Sequence, residues 1–109
     1  MTQTLILMLT TVPDQAAADA LIGPTLEARL AACATCLGYA RSTYHWQGKI
    51  EHAAEIPILF KTSPDRAAAL EQWIATHHPY DVPEILRWDA AAAPAYAQWV
   101  LTETQPEKP

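Results

Sequence analysis

The stretch CATCLGYARSTYHWQGKIEHAAEIPILFKT, residues 33–62, decides how this chain folds. Gln47-Gly48 divides it into two runs rich in β-branched and aromatic residues, with Tyr44 and Trp46 just before the turn and Lys49 just after. Glycine supplies the positive φ of a two-residue turn, so the pattern predicts a β-hairpin. Each arm has room for about fifteen residues, on the order of 50 Å at roughly 3.3 Å per residue. The helical segment that follows, Pro64 to His77, covers only about 20 Å at roughly 1.5 Å per residue. The hairpin must therefore overhang its own domain. An overhang tipped with Tyr44 and Trp46 is an edge-pairing liability unless a partner covers it. The sequence thus predicts an oligomer built on the hairpin.

Working outward, Thr4 to Thr11 is a continuous apolar run, the pattern of a strand covered on both faces. Pro13 ends it, and Asp14 is the expected cap of a helix running to about Ala31 with Ile22, Leu26 and Leu30 on its buried stripe. Gly23-Pro24 predicts a kink or break inside that helix. Ser63-Pro64-Asp65 starts a second helix, with Ala67, Leu70, Ile74 and His77 on one face. Pro79 stops it, Glu84 to Trp88 reads as a short strand, and Pro94 opens a last helix with Tyr96, Trp99, Val100 and Glu103 on one side. This order predicts an α+β, ferredoxin-like βαββαβ sandwich with a long hairpin between its second and third strands and an extra C-terminal helix. Parallel strand pairs joined by helical crossovers are expected within it. Residues 1–104 form the domain and 105–109 a flexible tail.

With 109 residues the chain supports one domain around a single core. Half of its residues are hydrophobic and 17% charged, which excludes a disordered chain. A formal net charge of −5 argues against a nucleic-acid partner, which requires a basic face. Leu5-Ile6-Leu7-Met8-Leu9 is too short to span a membrane, and no basic residue precedes it as in a signal peptide. The expected compartment is the cytoplasm, with both cysteines reduced. Three glycines leave no phosphate-cradling loop, and no nucleophile–base pair or carboxylate dyad is visible. A binding protein without an organic cofactor is expected, not an enzyme.

Cys33-Ala34-Thr35-Cys36 has redox or metal spacing, but along a strand the two thiols face opposite sides, which favours two separately buried cysteines. The adjacent imidazoles of His77 and His78, held before Pro79-Tyr80, are suited to copper or zinc yet lack an evident third ligand; otherwise His77 packs beneath the helix end and His78 bonds a neighbour. His45 and His52 flank the turn and lie diagonally on one face, as a surface metal clip or as solvated positions. Glu55 and Lys61, six residues apart on one strand, share a face and line a cleft for an anionic or zwitterionic ligand, or form an edge ion pair. Pro57, lacking an amide donor, predicts an edge or a bulge.

Leu30-Ala31-Ala32-Cys33-Ala34, Ser42 to Lys49, Glu55 through Lys61-Thr62, His77-His78-Pro79-Tyr80 with Pro83-Glu84, and Tyr96 with Trp99 together resemble the CutA divalent-cation-tolerance family, in the right order over nearly the whole chain. The resemblance implies a tight homotrimer with hairpins pairing between neighbours, similar to PII-type signalling proteins whose ligands lie between subunits. It implies a role in tolerance of copper and other divalent cations, with metal binding proposed for bacterial members. Carried over by position, the ligand-cleft residues are Cys33, Tyr44, Trp46, Glu55, Lys61, His78, Tyr80 and Glu84, and the metal pair is His77 and His78. Two departures stand out. Thr10 occupies a position where some bacterial members have a cysteine proposed as a copper ligand, and Gly23-Pro24 interrupts a helix that is normally continuous.

Overall fold

A computed structural model describes residues 1–106; Glu107 to Pro109, most of the expected tail, lie outside the described residues. The order is β1 (Gln3–Val12), α1 (Gln15–Glu27), β2 (Cys33–Cys36), β3 (Ala40–Trp46), β4 (Lys49–Thr62), α2 (Pro64–His77), β5 (Ile85–Ala92) and α3 (Pro94–Glu103). The sheet runs β2-β4-β1-β5, with β3 continuing alongside β4. Among the described residues every pairing is antiparallel, so the expected parallel neighbours are not found there. Each helical crossover instead skips one strand: β4 lies between β1 and β2, and β1 lies between β4 and β5.

Alternation along the strands sets the two faces of the sheet. Ile6, Met8 and Val12 of β1 and Ile56, Ile58 and Phe60 of β4 are buried in one core with Ala18 and Leu21 of α1 and Ala67, Leu70 and Ile74 of α2. On the other face α3 covers only one end, where Leu5 packs with Ala97 and Val100. Leu7, Leu9 and Leu59 remain half-buried there, and Leu86 and Trp88 are exposed. The expectation that β1 is covered on both faces therefore holds only at its ends.

The hairpin turns at Gln47 (φ 49°) and Gly48 (φ 77°), with Trp46 opposite Lys49. Two successive positive φ values make a type I′ turn, whose twist matches the strands it joins. The first arm is not the single strand expected: it breaks at Leu37-Gly38-Tyr39, giving five strands. Pro57 supplies the reason. Its carbonyl accepts the Leu37 N–H at 3.0 Å, and a residue's amide and carbonyl point to the same side of a strand, so the missing donor also faces Leu37. The reciprocal bond cannot form. Cys36 lies opposite Ile58 but Ala40 opposite Glu55, so the arm carries one extra residue, a bulge with Gly38 at φ 77°.

β4 pairs with β1 only from Ile56 to Thr62; Lys49 to Glu55 pair with β3 alone among the described residues. This is the overhang, and it stretches the subunit to 46 × 33 × 21 Å. Because it touches little else, damage to its turn stays local. Gly48→Val, forcing a β-branched side chain into the left-handed region, is expected to accelerate amide exchange of Trp46 and Lys49 about tenfold, from a cost of about 1–2 kcal/mol. Exchange of core amides such as Met8 is expected to stay unchanged; a uniform acceleration would mean that the hairpin is cooperative with the core.

The helices depart from expectation in informative ways. α1 runs unbroken through Pro24 but ends at Glu27, not Ala31. Arg29 (φ 56°) takes the left-handed position, with Leu30 N–H to Thr25 O at 2.9 Å and Arg29 N–H to Leu26 O at 3.1 Å, a Schellman ending. The Arg66 side chain donates to the Ala28 and Arg29 carbonyls, tying α2 to this end. The buried stripe is Ala18, Leu21 and Thr25, rotated from the expected one; Ile22 is half-buried and Leu26 exposed. On α2 the expected face holds except at His77, which is exposed and stacks on Trp73 with centroids 4.1 Å apart. β5 extends four residues beyond Trp88. The small side chains of Ala90 and Ala92 lie on the Leu5 side of the sheet, where α3 packs. α3 buries Ala97 and Val100 and leaves Tyr96 and Trp99 exposed.

Candidate functional site

β1 stops at Val12 while β4 continues outward into the hairpin. In the space beyond the end of β1, the loop after α2 folds over the base of the hairpin. The result is a cleft of about 690 Å³ lined by Tyr44, Trp46, Glu55, Tyr80, Asp81 and Glu84, with Thr11, Ser42, Thr43 and Val82. Tyr44, Trp46 and Glu55 share one face of the hairpin by strict alternation, since Tyr44 stands opposite Glu51 and Ala40 opposite Glu55.

Glu55 is 9% exposed, and its Oε2 accepts the Tyr80 hydroxyl at 2.8 Å. Burial first, and then the Glu55 carboxylate, push the Tyr80 phenol far up, so it stays a donor. No lysine or arginine lines the cleft, and Glu55 makes no ion pair among the described residues. A nearly buried carboxylate without a countercharge is costly to keep, and a cation entering the cleft offsets that cost.

Tyr80 is anchored from behind by His78. The Tyr80 N–H donates to His78 Nδ1 at 3.1 Å, and His78 Nε2 lies 2.9 Å from the Thr11 carbonyl and 3.0 Å from the Thr10 hydroxyl. With Nδ1 accepting, the neutral ring carries its proton on Nε2 and donates it to Thr11. Burial lowers the His78 pKa below its ordinary value of 6.5, against the opposing effects of the Thr11 carbonyl and Glu55. A lowered folded-state pKa means that the unfolded chain takes the proton first. The stabilisation from His78 is therefore complete above about pH 6.5 and is lost as pH falls from there through the lowered value. The melting temperature is expected to drop between pH 7 and pH 5 more steeply in the wild type than in His78→Gln. Parallel curves would place His78 outside this network.

The residues expected to form one cleft separate into two groups. Tyr44, Trp46, Glu55, Tyr80 and Glu84 line it, and His78 stands behind Tyr80. Cys33 and Lys61, opposite one another in register, sit about 20 Å along β4 from Glu55, by roughly 3.3 Å per residue. There Cys33 Sγ lies 3.7 Å from the Tyr96 hydroxyl and the Lys61 ammonium donates to Thr35. Glu55 and Lys61 do share a face, yet they form no ion pair among the described residues. Within the subunit Lys61 does not line the cleft, whose charged lining residues are Glu55, Asp81 and Glu84. Cys33 and Cys36 face opposite sides as expected, but both are half-buried instead of buried.

His77 and His78 do not converge. His77 is exposed, with Nδ1 on the Trp73 carbonyl at 2.9 Å, whereas both nitrogens of the buried His78 are engaged. His52 Nδ1 bonds the Thr43 hydroxyl at 3.0 Å across the hairpin. Among the described residues no three His, Cys, Asp or Glu side chains gather as a metal cage. Thr11, Ser42, Thr43, Asp81 and Val82 were not singled out in sequence; Asp81, beside Tyr80 in a proline-bounded loop, carried the one available signal. A second cavity of about 370 Å³ lies between α1 and α3 beside Arg29 and Glu103, and those two charges bridge each other at 3.2 Å.

No helix among the described residues is long and apolar enough to cross a membrane. Comparison with known proteins ties this architecture to one family. The CutA1 divalent ion tolerance protein family matches residues 6–103. The divalent-cation tolerance protein CutA of Yersinia pestis (strain Pestoides F) is 46% identical over 81 residues, which is 74% of this chain and 68% of that protein. The structure of CutA from Synechococcus elongatus PCC7942 superposes with a TM-score of 0.91 at 36% identity, covering 96% of this chain and 95% of that one. CutA from Xylella fastidiosa gives a TM-score of 0.90 at 37% identity, over 93% and 98% of the two chains. With a match spanning β1 to α3 and the same fold throughout, the chain belongs to the CutA1 divalent ion tolerance family.

Proposed function

We propose that this chain acts in tolerance of divalent cations, as a binding protein and not an enzyme, and that its working site is the cleft under the hairpin. One observation carries the reading: Glu55, nine-tenths buried and without a countercharge, in a cavity whose other charged lining residues are Asp81 and Glu84. Carboxylate oxygens suit hard, hydrated cations such as Mn²⁺ or Mg²⁺. The copper pair His77 and His78, implied by resemblance, draws little support from the geometry. The two rings diverge, and Thr10 presents a hydroxyl to His78 where some relatives offer a thiol.

The test is calorimetric titration of Mn²⁺ and Cu²⁺ into the wild type, Glu55→Gln and His77→Ala/His78→Ala. Glu55→Gln keeps an acceptor for Tyr80 and removes the charge, and is expected to weaken Mn²⁺ binding about tenfold, or ~1.4 kcal/mol. The double histidine variant is expected to leave Mn²⁺ affinity unchanged. The reverse pattern would move the site to the histidines.

The working form proposed is a homotrimer. Both backbone edges of the overhang are unpaired among the described residues, and Tyr44, Trp46 and Ile50 are exposed on it. The uncovered sheet face adds Leu86 and Trp88, and α3 adds Tyr96 and Trp99. Neighbouring copies pairing on these edges would cover both.

A further inference from the structure

We propose that the cleft selects an organic ammonium ion with a flat or apolar body, in preference to a bare metal ion. This rests on the reading of the cleft as the cation site and names the class of cation.

Size is the first argument. A cavity of about 690 Å³ lies in the range of small-molecule sites, roughly 300–1,000 Å³, and far exceeds what one metal ion fills. Ligand count is the second. A metal ion without its water needs several protein donors, and no such group of side chains exists among the described residues. The lining is the third argument. Tyr44, Trp46 and Tyr80 stand with Glu55, Asp81 and Glu84 in one concavity that contains no basic residue among the described residues. Aromatic faces attract ammonium groups through their quadrupoles while covering an apolar body, a pairing that a tightly hydrated metal ion cannot exploit.

Glu55 fixes the orientation. Its Oε2 is committed to the Tyr80 hydroxyl, and its Oε1 makes no hydrogen bond among the described residues. No buried side-chain oxygen or nitrogen lacks a partner among those residues, so Oε1 is open to the cavity that Glu55 lines. An ammonium N–H donating to that oxygen forms a charge-assisted hydrogen bond and neutralises the buried carboxylate. Tyr44 and Trp46, on the same hairpin face and lining the cavity, then flank the organic body.

The experiment is calorimetry at pH 7 with the full chain and three probes: 2-phenylethylammonium, its neutral counterpart 2-phenylethanol, and Mn²⁺. Proteins are the wild type, Glu55→Gln and Asp81→Asn, each checked for an unchanged sedimentation coefficient. The ammonium is expected to bind the wild type, to lose about tenfold in Glu55→Gln and two- to fivefold in Asp81→Asn, and to compete with Mn²⁺; the alcohol is expected not to bind. Mn²⁺ binding that depends on Glu55 without any ammonium binding would overturn this inference and leave the cleft as a metal site. Ammonium binding indifferent to both substitutions would also overturn it. If neither probe responds to Glu55→Gln, the cleft reading itself falls.

Discussion

Phe60→Ala is expected to destabilise the subunit by about 3–5 kcal/mol, the range for deleting a large buried aromatic side chain. Phe60 is fully buried on the helix-covered face of β4, with Met8 opposite it on β1 and Ala34 opposite it on β2. Both sheet neighbours and the α1–α2 layer therefore lose contacts when the ring is removed. The cavity collapses poorly, because two flanking strands hold the backbone around it. Thermal and urea unfolding at fixed protein concentration measure the effect, and Phe60→Leu is expected to cost roughly a third as much, in keeping with a smaller cavity. A loss under 1 kcal/mol for Phe60→Ala would mean that the core is not centred on β4.

Trp46→Ala is expected to cost about 2–4 kcal/mol of assembly while leaving the subunit fold intact, the pattern of an interface hot spot. The two halves of that statement have separate origins. Trp46 is 58% exposed at the hairpin tip, outside both core clusters, so the isolated subunit loses little. Its large apolar surface stands beside free strand edges, so docking against a neighbour is where its burial is gained. Sedimentation across a dilution series is expected to show a particle three times the subunit mass that dissociates at higher concentration in the variant. A wild type that sediments as a single subunit would remove the basis for the homotrimer.

Much of this was legible because a few residues act locally and strongly. Gly48 needs a positive φ, Pro64 suits the first turn of a helix, and Pro57 lacks a donor; each dictated a turn, a start or a bulge wherever it fell. An edge or a bulge was foreseen at Pro57, but a bulge on the opposite arm, splitting it into β2 and β3, depended on which side of β4 the missing donor faced. Helix faces were less legible. Large side chains such as Leu26, Tyr96 and Trp99 suggested burial, whereas the structure buries small ones, Ala18 and Ala97, where a helix must approach the sheet closely. The exposed set then reads as surface that a subunit presents to neighbours. In the site, only the family resemblance grouped Tyr44, Trp46 and Glu55 beforehand, and the register of the hairpin is what sets them on one face. The separation of Lys61 and Cys33 followed only from where β1 ends, a tertiary fact that no local pattern encodes.

The account turns on where a cation settles. Mn²⁺ broadens nearby amide resonances steeply with distance, so a titration followed by ¹H–¹⁵N spectra of the full chain locates it directly. Loss of the Tyr44, Trp46 and Asp81–Glu84 signals, with those of Trp73 to His77 intact, is the expected result. Broadening confined to His77 and the end of α2 would contradict the assignment of the cleft.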